Sequence, residues 1–290
     1  MLVTKLQLHD ELPLTCSRTG TCCHGKQVFL NPWELTCLAK EKQISVREFR
    51  DLYCDFGGIL LRFDGKEDSQ GFPACSQYID GFGCSVHQGR SLACRLFPLG
   101  RQQQNGEAIY IFEGTTFPCL NGCSEVLNLP RLSVGDYLVG QETSIFEKAQ
   151  DAYLEVMQNL ADLAFELLLD TGLAGTGETK TLATWKKLGS TSPTELAQQI
   201  GTKWLEALLF PNLECDKENV MDFISKHNEN LQQLAQDQFA SLDDFAAIHE
   251  ASVQMMRLAL YLAKALGANP EELAEHWVEV AKSNGACEEF

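Results

Sequence analysis

Eight cysteines in the first half of the chain are the side chains best suited to chemistry. They fall in the stretches "TCSRTGTCCHG" (residues 15–25), "CSQYIDGFGCSVHQGRSLACRLFP" (75–98) and "PCLNGC" (118–123). Thiolates are soft ligands, which bind zinc, copper(I) or iron–sulfur clusters in preference to magnesium or calcium. We therefore predict a metal-binding set that consists of Cys16, Cys22, Cys23, Cys75, Cys84, Cys94, Cys119 and Cys123.

The number and spacing of these cysteines leave the type of metal centre open. Eight thiols suit two four-cysteine sites, or one cluster and a mononuclear site. The C-x5-C-C spacing of the first stretch differs from the C-x2-C of a zinc ribbon and the C-x2-C-x2-C of a bacterial ferredoxin. Because successive side chains of extended backbone point in opposite directions, we expect Cys22 and Cys23 to face two different metals, or one metal and an adjacent open position.

Two histidines and two arginines accompany the cysteines in sequence. His24 and His87 could each ligate a metal or hydrogen-bond a ligand, in competition with abundant thiolate. Arg90 and Arg95 lie on either side of Cys94, and both are candidate cofactor-binding residues. A guanidinium would stabilise the negative charge of a thiolate cluster or bind an anionic group; for Arg95 the first role is favoured, since a thiolate lies beside it.

The remaining cysteines and histidines are expected to be structural. Cys37 and Cys54 fall in predicted helices and belong to the core, while Cys215 and Cys287 are expected to have no special role. The later histidines lie on acidic helical stretches without a neighbouring cysteine, and no ligand role is predicted for His227, His249 and His276.

The order of motifs "CC", "GCSVH" and "CRLFP" resembles the YkgJ-type cysteine-cluster family, over about Cys16 to Cys123. Members are described as zinc- or iron-chelating proteins, and the family is similar to flagellin lysine N-methylases, in which an iron–sulfur cluster is implicated in methyl transfer. The resemblance therefore implies a metal centre on the cysteines. Two departures concern the ligand number: only Cys16 precedes the vicinal pair, where members often have two cysteines, and Arg90-Ser91 replaces the usual Arg-Pro.

The composition predicts a cytoplasmic protein. The start "MLVTKLQLHDELPL" has no basic segment followed by an apolar run, and no stretch of the chain approaches 18 consecutive apolar residues. In a reducing compartment, clustered cysteines are more often metal ligands or redox centres than disulfides. A chain of 290 residues with 44% hydrophobic composition fills a core without such staples.

The net charge of −17 argues against nucleic-acid or membrane partners, which require a positive face. Residues 1–140 hold 13 Lys and Arg against 15 Asp and Glu, whereas residues 141–290 hold 10 against 25. The partner that we expect is a protein, as substrate or redox partner.

Short apolar runs predict mixed α+β structure for residues 1–140. The runs are "QVFL", "GILLRF", "ACSQYI", "GCSVH" and "AIYIF". The Asp-Gly of "IDGFG" signals a hairpin, so Cys75 and Cys84 should lie on or beside neighbouring antiparallel strands. Capping signals predict two helices, "NPWELTCLAKEK" behind Asn31 and "SVREFRDLYC" behind Ser45, and a short helix around Cys94 that ends at Phe97-Pro98.

A helical period predicts a bundle for residues 141–290. The stretch from Ser144 to Asp170 has an apolar face built from Phe146, Ala149, Tyr153, Val156, Leu160, Leu163 and Leu167. A further helix is predicted from Ser192 to Phe210, with Ser192 as its cap and Glu195 completing a capping box. Three more are predicted over Lys217–Phe239, Leu242–Leu266 and Pro270–Ser283. The expected fold class is α+β: a small cysteine-rich metal-binding domain, residues 1–140, followed by an acidic helical domain, residues 141–290.

Three functions fit these observations. The first is an iron–sulfur or multinuclear iron protein that acts as an oxidoreductase or, as the resemblance implies, as a protein-lysine N-methylase. The second is a zinc protein whose metal folds the loop-rich half while the helices bind a partner protein. The third is a metal carrier. The segment "GTGE" at Gly175–Glu178 lies in a predicted linker rather than after a strand, so S-adenosylmethionine binding has no sequence support.

Overall fold

The computed structural model describes residues 3–12, 20–104, 106–113, 128–169 and 180–286. The predicted ligands Cys16, Cys119 and Cys123 lie outside these ranges, as do Cys287 and the segment Gly175–Glu178. Within them the protein is a mixture of helices and small antiparallel sheets, which agrees with the expected α+β class.

Three small antiparallel sheets occur in the first part of the chain. The strands are β1 (Val3–Leu6), β2 (Cys54–Asp55), β3 (Leu60–Leu61), β4 (Tyr78–Ile79), β5 (Gly83–Cys84), β6 (Gly100–Gln104) and β7 (Glu107–Glu113). Strand β7 lies between β1 and β6, while β2 pairs with β3 and β4 with β5. The predicted hairpin is confirmed, since Tyr78 pairs with Cys84 and Ile79 with Gly83. The polar strand β6 escaped prediction because "GRQQQ" lacks apolar alternation.

Helices dominate the rest of the described chain. They are α1 (Pro32–Lys42), α2 (Val46–Tyr53), α3 (Leu92–Leu96), α4 (Val134–Gly140), α5 (Thr143–Leu169), α6 (Lys180–Gly189), α7 (Pro193–Ile200), α8 (Thr202–Leu209), α9 (Val220–Phe239), α10 (Phe245–Ala265) and α11 (Pro270–Ser283). Short 3-10 turns cover Thr21–Cys23, Phe56–Gly58 and His87–Gly89. Helices α4 and α6 were not predicted, since α4 is short and glycine-bearing and α6 follows a Gly/Thr-rich segment.

Side-chain caps begin the helices where the sequence signals them. Asn31 accepts a hydrogen bond from the Glu34 backbone N–H at 2.9 Å, and Glu34 accepts one from the Asn31 N–H at 3.1 Å. The Ser45 hydroxyl accepts from the Glu48 N–H, and Ser192 forms the predicted capping box. These contacts satisfy backbone donors that have no partner inside a helix.

Helix boundaries differ from the sequence prediction by up to three residues, at the starts of α9 and α10, and two further differences change the local structure. Helix α2 ends at Tyr53, so Cys54 begins a strand instead of closing the helix. The predicted helix from Ser192 to Phe210 is two helices, because Gly201 has φ +78° and interrupts the run between α7 and α8. Glycine adopts this conformation without the steric penalty that other residues incur.

The long helix α5 confirms the predicted amphipathic period with a small drift. Its predicted face is buried from Phe146 to Leu160, but further along Ala164 and Leu168 are buried, while Leu163 and Leu167 are half-buried. A continuous hydrophobic core joins α5 to the first part of the chain: the Trp33 ring of α1 packs edge-on against Phe146 at 4.9 Å between ring centroids. The core thus extends across residue 140.

A disulfide also connects the two parts. Cys37 of α1 and Cys215, between α8 and α9, are bonded, with 5.7 Å between their Cα atoms and 178 residues between them in sequence. Both side chains are buried. The expectation that Cys37 is part of the core is confirmed, whereas the expectation that Cys215 has no role is wrong. Sequence spacing carried no signal for this pair, because the two residues meet only through helix packing.

Candidate functional site

Five of the predicted metal ligands lie in the described chain, and all five line one cavity. The cavity has a volume of about 520 Å³, and its thiols come from three separate segments: Cys22, Cys23, Cys75, Cys84 and Cys94. The folded chain therefore brings together cysteines that lie far apart in sequence, from Cys22 to Cys94.

The vicinal pair lies on a 3-10 turn. Gly20, with φ +80°, precedes the turn, and the Cys23 N–H donates to the Gly20 carbonyl at 2.8 Å. The Cys75 N–H donates to the Cys23 carbonyl at 2.7 Å, which ties the turn to the second cysteine segment. The expectation of extended backbone is wrong. Because a 3-10 helix has about three residues per turn, Cys22 and Cys23 need not point in opposite directions, and both line the cavity.

The hairpin β4–β5 positions the next two thiols. Cys84 lies on β5 opposite Tyr78, and the Tyr78 N–H donates to the Cys75 carbonyl at 2.9 Å. The Gln77 N–H approaches the Cys75 sulfur at 3.5 Å. The prediction that Cys75 and Cys84 sit on or beside neighbouring strands is thus confirmed.

Helix α3 supplies the fifth thiol, Cys94. The helix begins at a fixed place on α1, because the buried Glu34 carboxylate accepts a hydrogen bond from the Leu92 N–H at 2.6 Å. As predicted, the helix ends before Phe97-Pro98, which are joined by a cis peptide bond.

A hydrogen bond between the two vicinal thiols shifts their pKa values in opposite directions. The hydrogen bond with the Cys23 thiol, assisted by the charges of Lys26 and Arg90 and opposed by burial, lowers the pKa of Cys22 to about 6. The same hydrogen bond, together with burial and the neighbouring thiolate charges, raises the pKa of Cys23 far above its usual range. The surroundings therefore favour the deprotonated form at Cys22 and the protonated form at Cys23.

The other three thiols keep their protons at neutral pH. Burial raises the pKa of Cys75 to about 11 and that of Cys94 to about 12, and it also raises the pKa of Cys84. A metal would have to displace these protons, because the ligand is the thiolate. Within the described ranges, no three His, Cys, Asp or Glu side chains converge as a ready-made metal site.

The basic candidates divide between the cavity and the core. Arg90 and His87 line the cavity, whereas Arg95 and His24 do not. The buried Arg95 guanidinium donates to the carbonyls of Arg90, Gln141 and Gln88 at 2.6 to 2.9 Å, which holds the loop before α3 against the start of α5. Arg95 thus joins backbone segments outside the cavity, and the stabilisation of thiolate charge that the sequence favoured for it stays a prediction.

Sequence reasoning missed two residues that shape the cavity. Lys26 lies four residues after Cys22, with its ammonium 2.8 Å from the centroid of the Phe97 ring, and both residues line the cavity. Phe82, at the tip of the hairpin, lines it too. The sequence could have indicated Lys26, because this cation lies in the same short stretch as the vicinal thiols. No feature of the sequence indicated that Phe82 lines the cavity.

The fold and the site define a mixed α+β protein with a cysteine-lined, cation-flanked cavity. Comparison of the chain with protein-family models, curated proteins and solved structures finds no match. None of the helices in the described residues combines the length and apolar character needed to span a membrane.

Proposed function

We propose that the protein is a cytoplasmic metalloprotein whose cysteine cluster holds an iron–sulfur or multinuclear iron centre, and that it acts as a redox or methyl-transfer enzyme on a protein partner. The observation that carries the proposal is that five thiols from three segments line one cavity. Thiols that were merely small core residues would not be expected to gather at one cavity wall.

The donor set fits a soft metal. The thiols supply sulfur, and the described residues that line the cavity include no Asp or Glu. A centre with several thiolates carries negative charge, which the nearby Lys26 and Arg90 would stabilise. Cys22 is the natural first ligand, because it is the thiol whose pKa the surroundings lower.

Open space beside the thiols favours a reactive centre over a structural zinc site. Structural zinc sites are closed by four protein ligands, whereas catalytic sites keep a position open. A bound iron centre would supply electron transfer or a Lewis-acidic position at the cavity wall. The chain's own residues would hold it, balance its charge and provide room for a reactant beside it.

The test is metal and acid-labile sulfide analysis, with a visible spectrum, of the full chain purified without oxygen. We expect iron, with sulfide if the centre is a cluster. Cys22→Ala and Cys94→Ala should each lose most of the metal. Cys54→Ala is the control, because Cys54 is also a free thiol of the cysteine-rich region but does not line the cavity.

Two results would overturn the proposal. Full metal retention in both cavity variants would show that these thiols are not ligands. Stoichiometric zinc without colour, lost from the cavity variants, would place the protein among structural zinc proteins or metal carriers instead.

A further inference from the structure

The cysteine-lined cavity is larger than a metal centre requires. Its volume of about 520 Å³ falls in the range of about 300–1,000 Å³ that is usual for small-molecule sites. Thiols occupy part of the wall, and much of the remainder is apolar, with contributions from Val28, Leu61, Phe63 and Phe97. The space therefore suits an organic molecule with an apolar body.

The charge of the wall is opposite to that of the chain. The protein has a net charge of −17, yet Lys26 and Arg90 line the cavity and no carboxylate does so among the described residues. The Arg90 side chain is held in place by hydrogen bonds to the His87 carbonyl at 3.0 Å and to Gln141 at 3.2 Å. A fixed guanidinium and an ammonium at a partly dry surface favour an anionic group.

An exposed aromatic side chain stands at the cavity. Phe82 is 74% exposed although it lines the cavity. It lies between Gly81, with φ +72°, and Gly83, with φ +96°, on the hairpin that carries Cys84. An exposed ring at a cavity gains apolar burial when an occupant contacts it.

We infer that this cavity binds a small molecule with an apolar body and one anionic group, which contacts Phe82 and directs its anionic group toward Lys26 and Arg90. The inference deepens the proposed function and rests on it for the chemistry that follows binding, because the bound molecule lies against the thiols. Lys26 and Arg90 serve both proposals, whereas the contact with Phe82 belongs to this inference alone.

Three probes of equal body and different charge test the inference: 2-naphthoate, 2-naphthylmethanol and 2-naphthylmethylammonium. Each is titrated calorimetrically into the full chain as isolated and after metal removal. We expect naphthoate to bind about tenfold or more tightly than the ammonium, with the alcohol between them, as charge-assisted contacts predict. Equal affinities, or no binding of naphthoate, would overturn the inference.

Single substitutions test whether naphthoate binds in this cavity. Phe82→Ala should weaken naphthoate binding several-fold. The matched control is Ile79→Ala on the same hairpin, because Ile79 is also exposed, at 49%, but does not line the cavity. Lys26→Met should abolish most of the preference for naphthoate over the alcohol. Equal effects of the Phe82 and Ile79 changes would contradict binding in this cavity, and circular dichroism confirms that each variant is folded.

The metal analysis tests the proposed metal centre, and the titration tests the proposed binding of an anionic molecule, so the two results can be told apart. Naphthoate binding without any metal would leave this inference standing and refute the proposed centre. Metal binding without charge-ranked probe binding would refute this inference alone.

Discussion

The cysteine-rich region, residues 20–98, and the helical region, residues 143–283, bury polar groups in different ways. In the helical region two buried polar side chains cross-link helices: His227 accepts a hydrogen bond from the Tyr153 hydroxyl at 2.9 Å and donates to the Ala207 carbonyl at 3.1 Å. That carbonyl can only accept, so the His227 Nε2 carries the proton. The Ser252 hydroxyl likewise donates to the Ala164 carbonyl. These hydrogen bonds stabilise the packing of the helices.

In the cysteine-rich region polar and ionisable groups gather around open space instead. Five thiols and two cations line a cavity whose shape is set by turns and two-residue strands. Polar groups inside a packed core stabilise the architecture, whereas ionisable groups gathered at a cavity mark a candidate site. We therefore expect the helices to contribute mainly stability and the cysteine-rich region to hold the candidate site, and three perturbations test this comparison.

The largest effect is expected at the Cys37–Cys215 disulfide, which joins the regions. A link across 178 residues lowers the entropy of the unfolded chain, and its loss should reduce the free energy of unfolding by about 2–5 kcal/mol. Urea unfolding of the oxidised protein with and without dithiothreitol measures this change. The double variant Cys37→Ser, Cys215→Ser is the control and should be insensitive to dithiothreitol. Sensitivity in the double variant would place the effect in other cysteines.

A second test uses one buried ionisable group from each region. Burial raises the pKa of Glu34 from 4.5 to about 7, so its contribution to stability is full below pH 4.5 and is lost as the pH rises through 7. Burial lowers the pKa of His227 from 6.5 to about 4, so its contribution is present above pH 6.5 and is lost as the pH falls toward 4. The two contributions therefore oppose each other in mildly acidic solution.

The variants Glu34→Gln and His227→Gln should reveal these opposite slopes. Between pH 4.5 and 6.5, the stability of Glu34→Gln relative to the native chain should improve with rising pH, by up to about 1.4 kcal/mol per pH unit. The stability of His227→Gln relative to the native chain should decrease with rising pH by a similar amount per pH unit. Urea unfolding at four pH values measures both, and slopes of the same sign would contradict the assigned pKa directions.

The smallest expected effect compares two glycines of the cysteine-rich region. Gly20 and Gly81 both have positive φ, but a Cβ at Gly20 would collide with the Tyr78 ring, while a Cβ at Gly81 meets nothing within 4 Å. Gly81→Ala should cost about 1 kcal/mol from backbone strain, and Gly20→Ala about 2 kcal/mol or more. Equal costs in thermal unfolding would mean that the Tyr78 ring moves aside freely.

Prediction from sequence succeeded where the signal was local. The caps at Asn31, Ser45 and Ser192 and the hairpin around Gly81 were predicted because each depends on residues within about four positions. The amphipathic period of α5 extended this success to a helix of 27 residues. The predicted face of α5 was less accurate near the end of the helix, where packing buries Ala164 and Leu168 rather than Leu163 and Leu167.

The cysteine residue types alone pointed to a soft-metal site, since thiol chemistry does not depend on the fold. Their gathering at one cavity, the disulfide of Cys37 with Cys215, and the partition of Arg90 to the cavity and Arg95 to the core all depend on contacts between distant segments. No local spacing encodes such contacts. They arise because α1, α3 and the hairpin β4–β5 pack on a common core, and that packing decides which side chains face the cavity and which face one another.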